Sequence, residues 1–184
     1  LNVSNVTNMS YMFNSTGKKA MTSLVLGDKF DTSNVTNMKG MFSYTGSQSM
    51  TSLRLGNNFN TSIVNDMSYM FQNTGYTAMT GLDLGGNFKT SKVIDMSYMF
   101  ANTGHNAMTS LNLRSEFDTT LVTNMREMFN GCGKNALEAL DLGTKFNTQK
   151  VTDMNAMFAD CGSKITKLDL GDIFYTTNVK DMYH

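Results

Sequence analysis

The side chains that most often carry chemistry are few in this chain, and no motif joins them into a catalytic site. The two histidines are His105, in a variable loop after Gly104, and His184, the last residue. Neither has a nucleophile or carboxylate partner at a fixed spacing, which a general acid–base mechanism requires. The sequence also lacks a phosphate-binding glycine loop, a nucleophile elbow and a zinc signature. We therefore predict a protein that is not an enzyme and that needs no cofactor.

Three carboxylates do recur at one place, each between two leucines: Asp83, Asp141 and Asp169. Carboxylates on neighbouring segments could act as an acid–base pair, as in glycoside hydrolysis. In an alternating strand, however, the residue between two inward leucines points to solvent. Because solvent-facing carboxylates are the ordinary case, we interpret these aspartates as part of a solvated strand face.

The two cysteines, Cys132 and Cys161, lie 29 residues apart at a place that threonine occupies elsewhere in the chain. If the two segments stack as neighbouring strands, the Cα atoms lie about 5 Å apart, within disulfide range. Side chains in register point the same way, so a bridge requires favourable rotamers. A disulfide and two buried free thiols are both open, and we favour the thiols. Two sulfur ligands without a nearby histidine are too few for a zinc site.

Charge and composition exclude several classes of partner. Fifteen basic side chains balance fifteen acidic ones, and 40% of the 184 residues are hydrophobic. A neutral chain exerts no long-range attraction on nucleic acid or on an anionic membrane, so we expect neither partner. No apolar stretch is long enough to cross a membrane. The first residues are not a secretory leader, so we expect any export signal to lie outside this sequence.

The dominant feature of the sequence is a repeat of 29 residues. The octet "VTNMSYMF" at 6–13 recurs, with substitutions, at 35–42, 64–71, 93–100, 122–129 and 151–158. A second motif, "MTSLVL" at 21–26, recurs with the same period until one residue is missing between Gly162 and Ile165. A period in this range is typical of a solenoid, in which each unit buries its apolar face against its neighbours.

We divide the chain into one repeat domain of six coils and a truncated seventh. The coils are 1–29, 30–58, 59–87, 88–116, 117–145 and 146–173, followed by 174–184. Because the first and last units are incomplete and no capping segment is present, we interpret the chain as a fragment of a longer array.

Each unit predicts two short elements. In Val35, Met38, Met41 and Phe42 the apolar residues fall at i, i+3, i+6 and i+7, which favours a two-turn helix with one buried stripe. The glycine four residues after the phenylalanine is suited to end it. The L-x-L motif predicts a strand with both leucines inward. Strands stack more closely than helices do, so we predict an α/β solenoid: a right-handed coil like a leucine-rich repeat, with a concave parallel sheet and convex helical turns.

Polar columns accompany the apolar ones. Asn8, Asn37, Asp66, Asp95, Asn124, Asp153 and Asp181 precede the first methionine of each octet, and threonine recurs from Thr32 to Thr176. We predict that these short acceptors and hydroxyls bond backbone groups of loops and helix starts. Calcium shared between carboxylates of successive coils is the alternative for the Asn/Asp column. The methionines we interpret as gap-filling core.

The spacing [M/L/I]-x-x-L-x-L resembles a leucine-rich repeat. The run "FDTSNVTNMKGMF" at 30–42, with "MFNGC" and "MFADC" later, resembles the repeats of BspA-like bacterial surface proteins along the whole chain. The usual asparagine ladder is interrupted, because Lys29, Glu116, Lys145 and Ile173 replace asparagine, and the units are a few residues longer. The resemblance implies a non-enzymatic, extracellular adhesion or protein-binding module on a cell surface, with a protein or glycan ligand such as host matrix. A passive spacer carrying another domain is the alternative.

Two surfaces are candidates for a partner. Tyr69 and Tyr98 lie one period apart, opposite the buried stripe of the octet, and exposed tyrosines are frequent interface anchors. The outward residues of the L-x-L motifs form the other, a polar column that becomes acidic toward the C-terminus. Its members are Val25, Arg54, Asp83, Asn112, Asp141 and Asp169.

Overall fold

The protein contains small parallel β-sheets whose strands come from successive repeats. The structure is a computed structural model that describes residues 3–27 and 29–183. Five three-residue strands occur in these ranges, and no helix does. They are β1 (Ser23–Val25), β2 (Ser52–Arg54), β3 (Gly81–Asp83), β4 (Ser110–Asn112) and β5 (Ala139–Asp141).

The strands pair in parallel with a register of one period. One sheet has the order β1-β2-β3 and the other consists of β4 and β5. Leu53 lies opposite Leu24 and Leu82, and Leu111 lies opposite Leu140. Within β2 the pattern follows the predicted alternation, because Leu53 is buried and Arg54 is exposed. The prediction of short, parallel L-x-L strands is therefore confirmed for the first five motifs, and it is wrong for the sixth, at 168–170, which forms no strand.

The prediction of helical octets is wrong for the described residues. One residue of each octet has a left-handed backbone, with φ between 51° and 62° from Tyr11 to Ala156. A right-handed helix cannot continue through that conformation. The octet is instead a run of tight turns, in which the Met41 N–H donates to the Met38 carbonyl at 3.1 Å. Such turns place apolar side chains at i and i+3 on the inside, as a helix does, which explains why the sequence pattern suggested one.

Alternate backbone amides of the turn run bond the next repeat instead of their own. The Phe42 N–H donates to the Met70 carbonyl at 2.8 Å, and the Tyr44 N–H donates to Gln72 at 2.8 Å. Local turns and inter-repeat bonds together pair the backbone, as a buried segment requires. The octets thus join neighbouring repeats through backbone hydrogen bonds, as the strands do.

The core consists of stacked, nearly identical layers. The Phe42 and Phe71 rings are 5.5 Å apart and inclined by 2°. A second phenylalanine column runs beside the first, with the Phe59 and Phe88 rings 6.4 Å apart. The methionines of the middle octets, such as Met38 and Met41, are fully buried. Their interpretation as core residues is confirmed, in keeping with the flexibility of the thioether side chain.

Both polar columns bond the backbone. In the Asn/Asp column the Oδ1 atom accepts from the N–H two residues ahead, as in Ser68 N–H to Asp66 Oδ1 at 2.9 Å. In the threonine column the hydroxyl donates to a carbonyl of the next repeat, as in Thr119 to Asn147 at 2.7 Å. The predicted backbone role of these columns is confirmed, although the amides belong to turns and not to helix starts.

The described sheets are interrupted at two places. Strands β3 and β4 are not paired, although they are equivalent segments of neighbouring repeats. Arg114, two residues after β4, occupies the position that glycine occupies in the other repeats. After β5 the equivalent segment 167–169 forms no strand, and one residue is missing just before it, between Gly162 and Ile165.

Candidate functional site

Tyr69 and Tyr98 form a stacked pair on the surface of the turn run. Their ring centroids are 4.7 Å apart and the rings are inclined by 6°. Both side chains are half-buried, because each ring covers one face of the other. The 29-residue repeat places them directly above each other. We therefore define the tyrosine site as this pair together with the charged side chains around it, Lys39, Arg126 and Glu127.

Charged neighbours hold the tyrosine site in one arrangement. The Tyr98 hydroxyl donates to Glu127 Oε1 at 3.0 Å and accepts from Arg126 Nε at 3.2 Å. Lys39 Nζ lies 5.5 Å from the centroid of the Tyr69 ring, within the range of a cation–π interaction. The pair therefore has an aromatic surface bordered by both signs of charge, with a fixed hydroxyl at one end.

The backbone under the two tyrosines is strained. Their φ angles are 62° and 59°, in the left-handed region that bulky residues rarely adopt. The equivalent residues Gly40, Glu127 and Ala156 have similar angles, from 51° to 57°, so the turn does not depend on an aromatic side chain. The left-handed residue is therefore a regular part of the turn, and a bulky side chain at this position carries a strain that glycine avoids.

Ionisation of Tyr69 gives the first testable prediction. Burial, followed by the nearby Tyr98 and Asp95, raises the pKa of Tyr69 above its ordinary value of about 10. A raised pKa favours the neutral phenol in the folded state, so this contribution to stability is present below pH 10 and is lost as the pH rises through the folded-state pKa. Subtracting the ultraviolet titration of Tyr69→Phe from that of the unmodified chain should isolate a midpoint above 10. A difference curve centred at or below 10 contradicts this account.

The strand-face column is exposed where the sequence predicted, and its polar groups satisfy one another. Asn112 Nδ2 donates to Asp141 Oδ2 at 2.9 Å, and Arg114 Nη2 lies 3.0 Å from Asp83 Oδ1. Val25, at the other end of the column, is 63% exposed. The column is a polar surface that is already paired along much of its length.

The strand-face aspartates accept hydrogen bonds from the backbone, and the shift in the pKa of Asp169 is opposite to that of a general acid. The backbone N–H of Gly171 and the nearby Lys167 lower the pKa of Asp169. A general acid near neutral pH needs the opposite shift. Asp83 and Asp141 accept from the N–H groups of Gly85 and Gly143, at 3.1 and 2.9 Å. Their shared role in the structure is to close the turn after each strand.

A second aromatic pair was missed by the sequence reasoning. The Tyr76 and His105 rings stack at 4.4 Å with an inclination of 10°. His105 Nδ1 lies 3.1 Å from Asn102 Oδ1, and burial lowers the pKa of the histidine. Both rings follow the glycine that comes four residues after the phenylalanine of the octet. Aligning the repeats at that glycine would have revealed the pair.

Both cysteines are free thiols, Cys132 buried and Cys161 partly buried. Burial raises the pKa of the Cys132 thiol well above its ordinary value and that of Cys161 to about 12. Only the thiolate is nucleophilic, so we expect almost no reaction with a disulfide reagent at about pH 8 in the native state and full reaction of both in denaturant. Rapid native reaction of either thiol contradicts this expectation.

The sequence matches one known protein family along its length. Residues 1–109 and 104–184 match the family described as "Mycoplasma protein of unknown function, DUF285". The chain belongs to this family. No curated protein and no solved structure matches it.

In this DUF285 chain the described residues contain no cluster of three or more His, Cys, Asp or Glu placed to hold a metal ion. The Asn/Asp column, proposed above as an alternative calcium site, uses its Oδ1 atoms for backbone amides instead, as at Asn124 and Asp153. His184 lies outside the described residues. Within residues 3–27 and 29–183 no helix is long and apolar enough to cross a membrane.

Proposed function

We propose that this DUF285 chain is a non-enzymatic, extracellular adhesion or protein-binding module of a bacterial surface protein. Its architecture in this proposal is a right-handed solenoid related to the BspA-like leucine-rich repeats, with the strands on the concave side and the turn run on the convex side. Successive phenylalanine layers and inter-repeat backbone bonds support a continuous coil. The ligand is a protein or glycan of the host surface or matrix.

The tyrosine site carries the proposal. Two bulky side chains occupy left-handed backbone positions next to each other in a column whose other members are Tyr11, Gly40, Glu127 and Ala156. Stacking leaves an aromatic surface next to fixed charges. Aromatic anchors with ordered polar neighbours are characteristic of binding hot spots. Packing of the core gives no reason for tyrosine at these two positions, and recognition of a partner does.

One observation favours a passive spacer as the second candidate. The phenylalanine column from Phe13 to Phe158 stacks with little variation, between 5.4 and 5.6 Å. Such uniform layers suit a rigid rod that carries another domain. A spacer has no need of a particular surface geometry at the tyrosine site, so substitutions there distinguish the two functions.

Binding to immobilised host matrix proteins and glycans tests the proposal. The variant pair is Tyr69→Ala with Tyr98→Ala, and the matched control is Tyr11→Ala, because Tyr11 occupies the same column but is 47% exposed and outside the stacked pair. We expect the double variant to weaken binding by about tenfold or more, as loss of a hot spot does, while the control binds as before. Absence of binding, or binding that both variants retain, supports the spacer instead.

A further inference from the structure

One face of the Tyr76 ring adjoins a layer that no ring of the chain fills. The other face stacks on His105 of the following repeat, with the ring centroids 4.4 Å apart. One repeat before Tyr76 the same column carries Ser47, and one repeat before that it carries Lys18. The Thr77 N–H donates to the Ser47 carbonyl at 2.9 Å, and backbone layers bonded in parallel lie about 4.8 Å apart. The small Ser47 side chain therefore leaves the space of about one ring beside Tyr76, which we call the Ser47 gap.

A cavity of about 240 Å³ lies at the Ser47 gap. Ser47 and Tyr76 line it. Polar side chains from three successive repeats complete the lining: Lys18, Tyr44, Gln48, Asn73 and Thr77. Pockets for drug-sized ligands usually measure about 300–1,000 Å³, so the volume suits a single ring of a larger ligand.

The polar side chains around the Ser47 gap are unpaired. None of the five makes a hydrogen bond through its side chain within residues 3–27 and 29–183. At the equivalent positions of later repeats the side chains bond one another: Asn102 with His105 at 3.1 Å, Asn106 with Asn135 at 2.8 Å and Lys134 with Asp160 at 2.9 Å. The same surface of the repeat is thus satisfied by the protein itself in the later repeats and is open to a ligand at the Ser47 gap.

This combination of an aromatic face and free polar groups fits a sugar ring. The face of an aromatic ring is negative and attracts C–H groups, which a pyranose presents on one side of its ring. The hydroxyl groups on the edge of the sugar can then bond the amides of Gln48 and Asn73, which both donate and accept. An aromatic side chain of a partner protein could also stack on Tyr76, but it offers few polar atoms to these amides. A sugar therefore satisfies more of the lining.

The charge at the Ser47 gap is positive. The lining that the structure describes contains one charged side chain, Lys18, and no carboxylate. Lys19, the next residue along the chain, is also exposed. Cations without a neighbouring acid attract an anionic ligand. A sugar that carries a carboxylate on the edge of its ring, as a uronic acid does, complements this charge.

We propose that the Ser47 gap binds an acidic sugar residue of a host glycan. The sugar ring stacks on the free face of Tyr76, its hydroxyl groups bond Gln48 and Asn73, and its carboxylate pairs with Lys18. The proposal rests on the adhesion function above and names the chemical class of a ligand for it. It assigns that function a second site, formed by other columns of the repeat than the tyrosine site.

Two oligosaccharides serve as probes, and calorimetry measures their affinity. Hyaluronan tetrasaccharide alternates a uronic acid with N-acetylglucosamine, and its uncharged match, chitotetraose, contains N-acetylglucosamine alone. The variant Ser47→Tyr places a ring of the chain itself in the gap, as Tyr76 does one repeat later. Its matched control is Ser163→Tyr, the same change at an exposed residue later in the same column. Lys18→Gln, at an exposed residue, removes the charge and tests the site independently of the core.

We expect the hyaluronan tetrasaccharide to bind more tightly than chitotetraose. Ser47→Tyr should weaken its binding by about tenfold or more, whereas Ser163→Tyr should bind it as the unmodified chain does. Lys18→Gln should weaken its binding by about twofold to fivefold, the usual effect of one exposed charge. No binding at millimolar concentration, equal affinity for the two sugars, or equal losses in the two tyrosine variants overturns the proposal. Tighter binding of N-acetyltyrosine amide than of the sugar also overturns it, in favour of an aromatic side chain of a partner protein.

The tyrosine site separates this proposal from the adhesion function on which it rests. The Tyr69→Ala and Tyr98→Ala variant should bind the tetrasaccharide normally. If the sugar does not bind, while a host ligand still depends on Tyr69 and Tyr98, the sugar site is wrong and the adhesion function stands.

Discussion

Replacing Phe71 with alanine is expected to destabilise the protein by about 3–5 kcal/mol, the usual effect of truncating a fully buried phenylalanine. Phe71 is fully buried, and its ring stacks on Phe42 at 5.5 Å and on Phe100 at 5.4 Å. It also contacts Phe88 of the second column, with the ring centroids 6.2 Å apart. The substitution therefore weakens two inter-repeat interfaces at once, and repeat stability depends largely on such interfaces.

Phe13→Ala is the matched control for this prediction. Phe13 belongs to the same column but is only partly buried, and it stacks on Phe42 and tilts against Phe30. Less apolar area is lost there, so we expect a loss of about 1–2 kcal/mol. Urea unfolding followed by circular dichroism measures both variants. If the two losses are equal, the phenylalanine column is not the main connection between the repeats.

The strands and the core could be predicted from the sequence because both depend on spacing alone. The 29-residue period fixes which leucines pair, so Leu24, Leu53 and Leu82 lie in register. It also fixes the stacking of Phe42 on Phe71. The alternation of leucine and polar residues shows which side chains point into the core, since alternate residues of a strand face opposite sides. Nothing beyond the sequence pattern was needed for these features.

The turn run could not be predicted in the same way. The apolar residues of the octet satisfy both a helix and a series of turns, and the difference lies in the φ angle of one residue, such as Tyr69 at 62°. Gly40 at the equivalent place is a hint, since glycine favours that conformation. Three other repeats carry tyrosine at this position, and tyrosine gives no indication of a left-handed backbone. Local propensity was overridden here by bonds between repeats, as in Phe42 N–H to the Met70 carbonyl.

The positions of the candidate site residues could be predicted from the sequence, but their contacts could not. The period places Tyr69 over Tyr98, but it does not show that Arg126 and Glu127 bond the Tyr98 hydroxyl. The missing residue before Ile165 is visible in the sequence, whereas the absence of a strand at 167–169 could be seen only in the structure. Contacts that depend on backbone conformation or side-chain rotamers required the structure.

The break between β3 and β4 can be traced to one side chain. At Gly85 an added Cβ atom would lie 2.6 Å from the Gly56 carbonyl oxygen, and at Gly143 it would lie 2.6 Å from that of Arg114. Arg114 carries a Cβ at this register, with φ at 66°. We infer that this Cβ atom holds the segment around Arg114 away from the equivalent segment of the preceding repeat, although the phenylalanine layers of the two repeats stack at the ordinary distance. The Leu84 N–H has no inter-repeat acceptor among the described residues.

Arg114→Gly is accordingly expected to join the two sheets and to stabilise the protein by about 1–3 kcal/mol. Relief of the left-handed backbone contributes about 1 kcal/mol, and each restored ladder bond contributes about 0.5–1.5 kcal/mol. Loss of the exposed ion pair with Asp83 subtracts at most about 1 kcal/mol.

Arg114→Ala separates the effect of the Cβ atom from that of the charge. Alanine removes the ion pair but keeps the Cβ atom, so we expect no stabilisation and a sheet that stays divided. Hydrogen exchange of the Leu84 amide reports the outcome directly: it should become slow in the glycine variant, like that of Leu55, and should stay fast in the alanine variant. Equal stabilisation by both variants, or fast exchange of Leu84 in both, would show that contact between the Arg114 Cβ and the neighbouring carbonyl is not what divides the sheet.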